Sequence, residues 1–316
     1  MAQTREILRR IKSVGSTKKM TKAMEMVAAA KTRRAVAAVL KTRTFANLSW
    51  EILVYLANLS RKREEPMHPL LVKRDKIGRV AVIVISSNRG LCGGYNAALL
   101  AKVRASLKLH DFPTDFILLG KKGASLVKLG YEVAAEFVKE DIVDSISQVE
   151  SLAKLAIESF LSGKYDRILV AYTDFINASR QIPRVKQLLP ILIDENDSEL
   201  GVVGPDPVLG ITKEQAERKE EKHLEKSGFV YDFIFEPSER EVMDALVPQV
   251  IEMQLFQAVL EANASEHSAR MMAMHQATDA AQEMVERLTL HYNKARQAGI
   301  TAEIAEISAG ANALAE

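Results

Sequence analysis

The sequence predicts an α/β domain inserted into a long antiparallel coiled coil, built from helices at the two ends of the chain. Three observations carry this. Residues 238–308 hold a seven-residue apolar beat over a length that no compact domain needs. Residues 3–60 contain no proline and a single glycine, Gly15. Residues 77–193 change rhythm and alternate β-branched runs with helical patterns.

The C-terminal beat has two seams. One is Leu246, Met253, Leu260, His267, Met274, Ala281, Leu288 and Ala295. The other is Met243, Val250, Gln257, Ala264, Met271, Thr278, Val285 and Tyr292. Spacing that alternates three and four holds one helix face toward a partner in a left-handed coiled coil. Ser238 and Glu241 form a capping box after Pro237, which marks the helix start. Pro248, about three turns in, removes one backbone hydrogen bond and predicts a bend near the helix base.

Composition sets the bounds. The chain has 316 residues, 47% hydrophobic and 27% charged, enough for two folded domains rather than disorder. Aromatics are only 6%, which favours long helices over a sandwich. A net charge of +2 gives no argument for nucleic acid. The charge is unevenly placed, however. Residues 1–43 carry Arg5, Arg9, Arg10, Lys12, Lys18, Lys19, Lys22, Lys31, Arg33, Arg34, Lys41 and Arg43 against Glu6 and Glu25. This end should seek an acidic surface. The single cysteine, Cys92, excludes an internal disulfide and a cysteine zinc site, and suits a reducing compartment. No run approaches the ~18 apolar residues of a membrane span. The basic N-terminus has the amphipathic look of an organelle transit peptide, but the pattern runs on past the extent of one.

In the N-terminal helix, Ile7, Ile11 and Val14 form one stripe. After Gly15 an apolar frame resumes with a shift: Met20, Met24, Val27, Lys31, Arg34, Ala38, Lys41, Phe45, Leu48, Ile52, Tyr55 and Leu59. The shift predicts a stutter near Gly15–Thr17. Lys31, Arg34 and Lys41 would cover the seam with their stems. Pro66 and Pro69 close the helix. At 1.5 Å per residue the two helices would extend about 85 Å and about 105 Å, so one end of the longer should project. The competing arrangement is two separate coiled-coil arms that make a dimer.

Between them, Arg79–Ser86, Asp115–Gly120 and Arg167–Tyr172 read as buried parallel strands. Ala97–Leu109, Lys121–Leu129 and Ile146–Leu161 read as crossover helices. Arg180–Pro190 is an edge strand, because Pro183 would break a central ladder. Asp194–Gly210 is turn-rich, Ile211–Lys226 is a charged helical stretch, and Asp232–Glu236 reads as a last strand. The domains are thus 1–62, a Rossmann-like α/β domain at 77–236 with a charged insertion at 194–228, and 237–316.

The chemistry-bearing candidate is Ser86–Asn96 (SSNRGLCGGYN), which follows a strand and opens a helix, where Rossmann-like domains bind phosphate. It is neither a full GxGxxG nor a Walker loop. A glycine-requiring turn explains it as well. Cys92 reads as a buried thiol. His267 and His275 lack a third ligand, so packing explains them better than metal. No paired acids, triad or metal set is found. The residues predict no catalytic, cofactor or metal site.

Four segments resemble the γ subunit family of F-type ATP synthases: Ile11–Ala30 (IKSVGSTKKMTKAMEMVAAA), Ser86–Asn96, Ala264–Ala281 (ASEHSARMMAMHQATDAA) and Asn293–Ile307 (NKARQAGITAEIAEI). They occur in order, and the resemblance extends over essentially the whole chain except about 194–228. The resemblance implies a non-catalytic rotor shaft, one copy per complex. It would stand in the α3β3 hexamer and rest, with the ε subunit, on the membrane c-ring. It would couple ion-driven ring rotation to ATP synthesis or hydrolysis in the β subunits. Membrane contact would run only through the c-ring, at the cytoplasmic face of a bacterial inner membrane. The resemblance further implies β-subunit contacts at Met24, Arg296, Gln297 and Thr301, and contacts with the c-ring and ε at Phe233 and Glu236. Met24 also fits a plain seam residue, and Arg296 and Gln297 a solvated face. Residues 194–228 carry no cysteine, which excludes the thiol switch of chloroplast members; the charged helix there would bear no torque. A free-standing coiled-coil adaptor whose α/β domain binds nucleotide through 86–96 is the other class of function the residues allow.

Overall fold

The computed structural model describes residues 2–62, 68–74, 76–108, 112–191 and 235–315. In chain order these form α1 (Ala2–Lys62), β1 (Val80–Ile85), α2 (Tyr95–Leu107), β2 (Thr114–Leu119), β3 (Val133–Phe137), α3 (Ser147–Leu161), β4 (Arg167–Asn177), β5 (Arg180–Leu189) and α4 (Glu239–Ala315). The insertion expected at 194–228 lies outside the described residues. So does most of the strand expected at Asp232–Glu236, and its last two residues are not in a strand. The chain divides into two compact units, each containing parts of both long helices: residues 1–28 with 271–316, and residues 29–270.

The sheet lies in the larger unit, in the order β3-β2-β1-β4-β5. β1 pairs in parallel with β2 and β4, and β2 with β3. β5 runs antiparallel to β4 at the edge, where Pro183 is tolerated. Six consecutive buried residues in β1 explain its unbroken apolar run, since both sheet faces are covered. One face carries Val80, Val82, Val84, Phe116 and Leu118 against Leu99 and Val103 of α2. The other carries Ala81, Ile83, Ile85, Ile168 and Val170. It belongs to a core shared with Leu152, Ala156 and Phe160 of α3, and with apolar residues of both long helices.

β3 is a strand that the sequence reading missed. Its burial alternates with half-covered and exposed positions, as at an edge, and its five residues are too short and mixed to stand out. Lys121–Leu129 winds as 3₁₀ turns rather than an α-helix. Gly120, just before it, has φ +102°, and an added Cβ would sit 2.3 Å from the Ser86 carbonyl oxygen. No other residue fits that crossing of β1 and β2 ends.

The helix α1 corrects one expectation. It runs through Gly15 without interruption, and its covered frame does not shift. In the smaller unit the inward positions are Ile7, Ile11, Val14, Lys18, Thr21, Glu25 and Ala28, a continuous alternation of four and three. In the larger unit the covered set is Thr32, Val36, Val39, Ser49, Leu53 and Leu56. In the smaller unit the expected frame fails because its apolar members face outward, Met20 58% exposed and Val27 57%, whereas Ala38 and Ile52 farther along it pack against the core. A seam of threonine, alanine and lysine stem is invisible to a search for apolar residues.

The helix α4 is as read. Glu241 N–H donates to Ser238 Oγ at 3.3 Å, and the Ser238 hydroxyl donates to the Glu241 carboxylate at 3.1 Å, closing the box. Such a cap stabilises a helix by ~1 kcal/mol. Every residue of both expected seams is buried or half-buried. Between Leu255 and Ser268 the helix is buried on all sides, more than a two-helix seam requires. In the smaller unit α4 lies antiparallel to α1: the Thr278 and Thr21 hydroxyls meet at 2.8 Å, His275 faces Glu25 at 3.4 Å, and Lys18 donates to Gln282.

Candidate functional site

The loop after β1 is the first candidate. Its polar groups are largely occupied by one another and by α4. Asn96 Oδ1 accepts from Ser87 N–H at 3.1 Å, and Asn96 Nδ2 donates to Ser87 Oγ at 2.7 Å. Ser87 Oγ donates to the Arg89 carbonyl at 2.8 Å. The Arg270 guanidinium, from α4, reaches the Arg89 and Gly90 carbonyls at 3.3 and 3.4 Å. Cys92 is buried beneath. Leu91 takes a positive φ of 63° and projects into solvent. The Tyr95 hydroxyl donates to the Ala262 carbonyl at 3.3 Å. The carboxyl end of β1, where a Rossmann-like domain would receive a phosphate, is thus met by a helix.

The residues after β3 form the second half of that seat. Lys139 pairs with Glu266 at 2.6 Å, with side chains 1% and 5% exposed. Arg270 completes the carboxylate from the other side at 2.7 Å. Burial pulls the Lys139 ammonium below its ordinary range, against the opposing pull of Glu266. Burial pushes the Glu266 carboxyl up, but Lys139 and Arg270 outweigh it and hold it low. His267 donates from Nε2 to the Asp141 carbonyl at 2.8 Å and accepts from Arg270 at Nδ1, 3.2 Å away. Acceptance at Nδ1 requires the neutral ring, and burial lowers its basicity accordingly. Lys31 of α1 pairs with the Asp141 side chain at 2.7 Å. Ser265 and Ser268 of α4 donate to the carbonyls of Thr173 in β4 and of Ala178 just after it, at 3.0 and 2.9 Å.

Glu261 stands one turn nearer the helix start, buried against Asp174 of β4. Burial, and next the Asp174 charge, push its carboxyl up to about 8. Arg184 of β5 pairs with Asp174 at 2.7 Å. Sequence reading missed Lys139, Glu261, Glu266 and Arg270. The available signal was three charged residues within the span Glu261–Arg270, two of them, Glu266 and Arg270, four apart on one face of α4. Surrounded burial with paired charges accounts for that pattern.

The residues expected to touch partners lie elsewhere. Met24 is 36% exposed and, with Met20 and Val27, forms an outward apolar stripe on α1. Arg296, Gln297 and Thr301 are exposed on α4, and Thr301 donates back to the Gln297 carbonyl at 3.0 Å. Within the smaller unit these do not gather into one site. Gln282 marks the level of Lys18, and Arg296 lies another ~21 Å along the helix at 1.5 Å per residue. Residues 296–309 are exposed on every side. Phe233 lies outside the described residues. Glu236 is exposed, two residues before Ser238 caps α4.

In the larger unit the carboxyl end of β1 is thus met by the chain's own α4. The fold has solved counterparts. Over 99% of this chain and 95% of the other, it is similar to a chain in the OSCP/F1/c-ring structure of the Euglena gracilis mitochondrial ATP synthase, with TM-score 0.61 and 18% identity. A chain in the central stalk/c-ring structure from Tetrahymena thermophila covers 82% of this one, with TM-score 0.56 and 22% identity.

Sequence relatives are much nearer. A family model described as ATP synthase matches residues 3–314. The ATP synthase gamma chain of Roseiflexus castenholzii is 41% identical over the full length of both chains. That of Desulfitobacterium hafniense is 38% identical over 99% of this chain and 100% of its own. The chain belongs to the ATP synthase gamma-chain family. Among the described residues, no helix is long and apolar enough to cross a membrane.

Proposed function

We propose that the chain is the central rotor shaft of an F-type ATP synthase, non-catalytic itself. It stands as one copy within an α3β3 hexamer and rests with ε on the c-ring. There it couples ion-driven ring rotation to ATP synthesis or hydrolysis in the β subunits. It is peripheral, at the cytoplasmic face of the inner membrane, and reaches the membrane only through the c-ring. The observation that carries this reading is the outward stripe of Met20, Met24 and Val27 on a strongly basic helix. Large apolar side chains left out of a helix seam suit a contact that slips and reforms, and flanking lysines suit acidic loops. Met24, Arg296, Gln297 and Thr301 are the β-facing contacts in this proposal, and Phe233 and Glu236 the foot contacts. Coupling works by differential contact: each orientation of an asymmetric shaft favours a different β conformation.

Affinity purification of the tagged chain from its own cells tests this. The α and β subunits should co-purify with one copy of the chain, and the isolated chain should bind no ATP. A homodimer that binds ATP and carries no α or β would overturn the reading.

A further inference from the structure

A pocket of about 160 Å³ opens at the amino-terminal ends of the strands, between α2 and the sheet. This is the end opposite the crevice met by α4. Its walls include Val80, Val82, Val103, Leu107, Leu169 and Val185. They come together because, among the described residues, α2 is the only α-helix packed on this face, and it ends at Leu107 beside the starts of β1 and β4. Phe112 is both a wall and partly exposed, so the pocket has access to solvent.

Two polar side chains line this apolar space without side-chain partners among the described residues, Arg167 and Ser106. Arg167 is the first residue of β4, opposite Val80 in the parallel register, so it shares the face of Leu169. Its neighbours are committed elsewhere. Arg79 is held by Asp115 at 2.9 Å and Arg74 by Asp166 at 2.7 Å. Thr114 donates to the Phe112 carbonyl at 2.9 Å. The pocket therefore offers a guanidinium fork and a hydroxyl beside aliphatic walls.

We infer that this pocket binds a small carboxylate with a compact apolar body. The volume decides the body: an apolar cavity of roughly 150 Å³ takes up a benzene ring. The single arginine decides the head, since its planar fork matches one carboxylate in a bidentate pair. A phosphate would leave charge unpaired against valine and leucine.

The test uses methyl NMR on the full-length chain, with benzoate and benzyl alcohol as probes. Benzoate should shift the Val80, Val82, Val103 and Leu169 methyls saturably, with a Kd at or below about 1 mM. Benzyl alcohol should bind at least about tenfold more weakly. Arg167→Leu should weaken benzoate about tenfold while leaving benzyl alcohol unchanged. Val185→Phe, which fills the space, should remove both. The inference is overturned by absence of saturable shifts, by equal affinity for the two probes, by benzoate binding that is indifferent to Arg167→Leu, or by binding that survives Val185→Phe.

Discussion

Lys139 and Glu266 form an ion pair that is almost wholly buried, 2.6 Å long, between the segment leaving β3 and the middle of α4. Because removing Glu266 strands the buried Lys139 charge, Glu266→Ala should cost ~3–5 kcal/mol. Replacing both residues with apolar ones of similar size, Lys139→Met with Glu266→Leu, should cost far less. Arg270 keeps its carbonyl partners in the 86–96 loop in either case. Urea midpoints of the two variants decide it. Equal losses would show that the pair is not what holds the helix to the sheet.

Glu261 gives stability a pH dependence of definite sign. Its folded carboxyl is pushed up to about 8, first by burial and then by Asp174. In an unfolded chain a glutamate ionises near 4.3, so across that interval the folded state alone keeps the proton. Its contribution is complete below about 4.3, falls as pH rises, and is gone above about 8. Glu261→Gln stays neutral throughout and should flatten the profile. Its advantage over the native chain should be greatest from pH 8 upward, on the order of a few kcal/mol. Parallel urea-midpoint profiles for the two chains between pH 5 and 9 would refute this.

Gly15 tests the continuity of α1. It lies within the helix, and an added Cβ would meet nothing within 4 Å. Gly15→Ala should therefore raise stability by about 0.5–1 kcal/mol, through helix propensity and a less flexible unfolded chain. Thermal unfolding of the full chain measures this. Destabilisation would mean that the helix depends on a local break at this point.

Arg296 tests the proposed outward contacts. It is exposed, so Arg296→Glu should leave stability within ~0.5 kcal/mol. If the residue faces acidic loops of β, ATP synthesis in the assembled complex should fall several-fold. Native synthesis rates with a normally assembled complex would remove Arg296 from the contact set.

The two long helices were unequally legible in the sequence. The seams of α4 could be read position by position, because Leu246, Met253, Leu260 and Met274 are both apolar and inward. In α1 the correspondence breaks. Thr21, Ala28 and Thr32 are inward, while Met20 and Val27 face out. Periodicity locates apolar residues and assumes they point to the chain's own core; a helix with an outward contact face violates the assumption. The strands β1, β2 and β4 announced themselves by burial on both faces, whereas β3 is short and half-covered. Nor could the residues around Glu261, Glu266 and Arg270 be read as a site. Their meaning depends on Lys139 and Asp174, which only the folded topology brings near.

The methionines on the outside of α1 carry a chemical liability. Met20 and Met26 are 58% and 59% exposed, while Met243, Met253 and Met274 are buried in the seams. Oxidants reach accessible thioethers first, and each sulfoxide turns an apolar side chain polar. Oxidative damage would therefore roughen the outer surface of α1 in the smaller unit while the interior methionines stay reduced. Reductive repair of the sulfoxides would restore that surface without any need to unfold the chain.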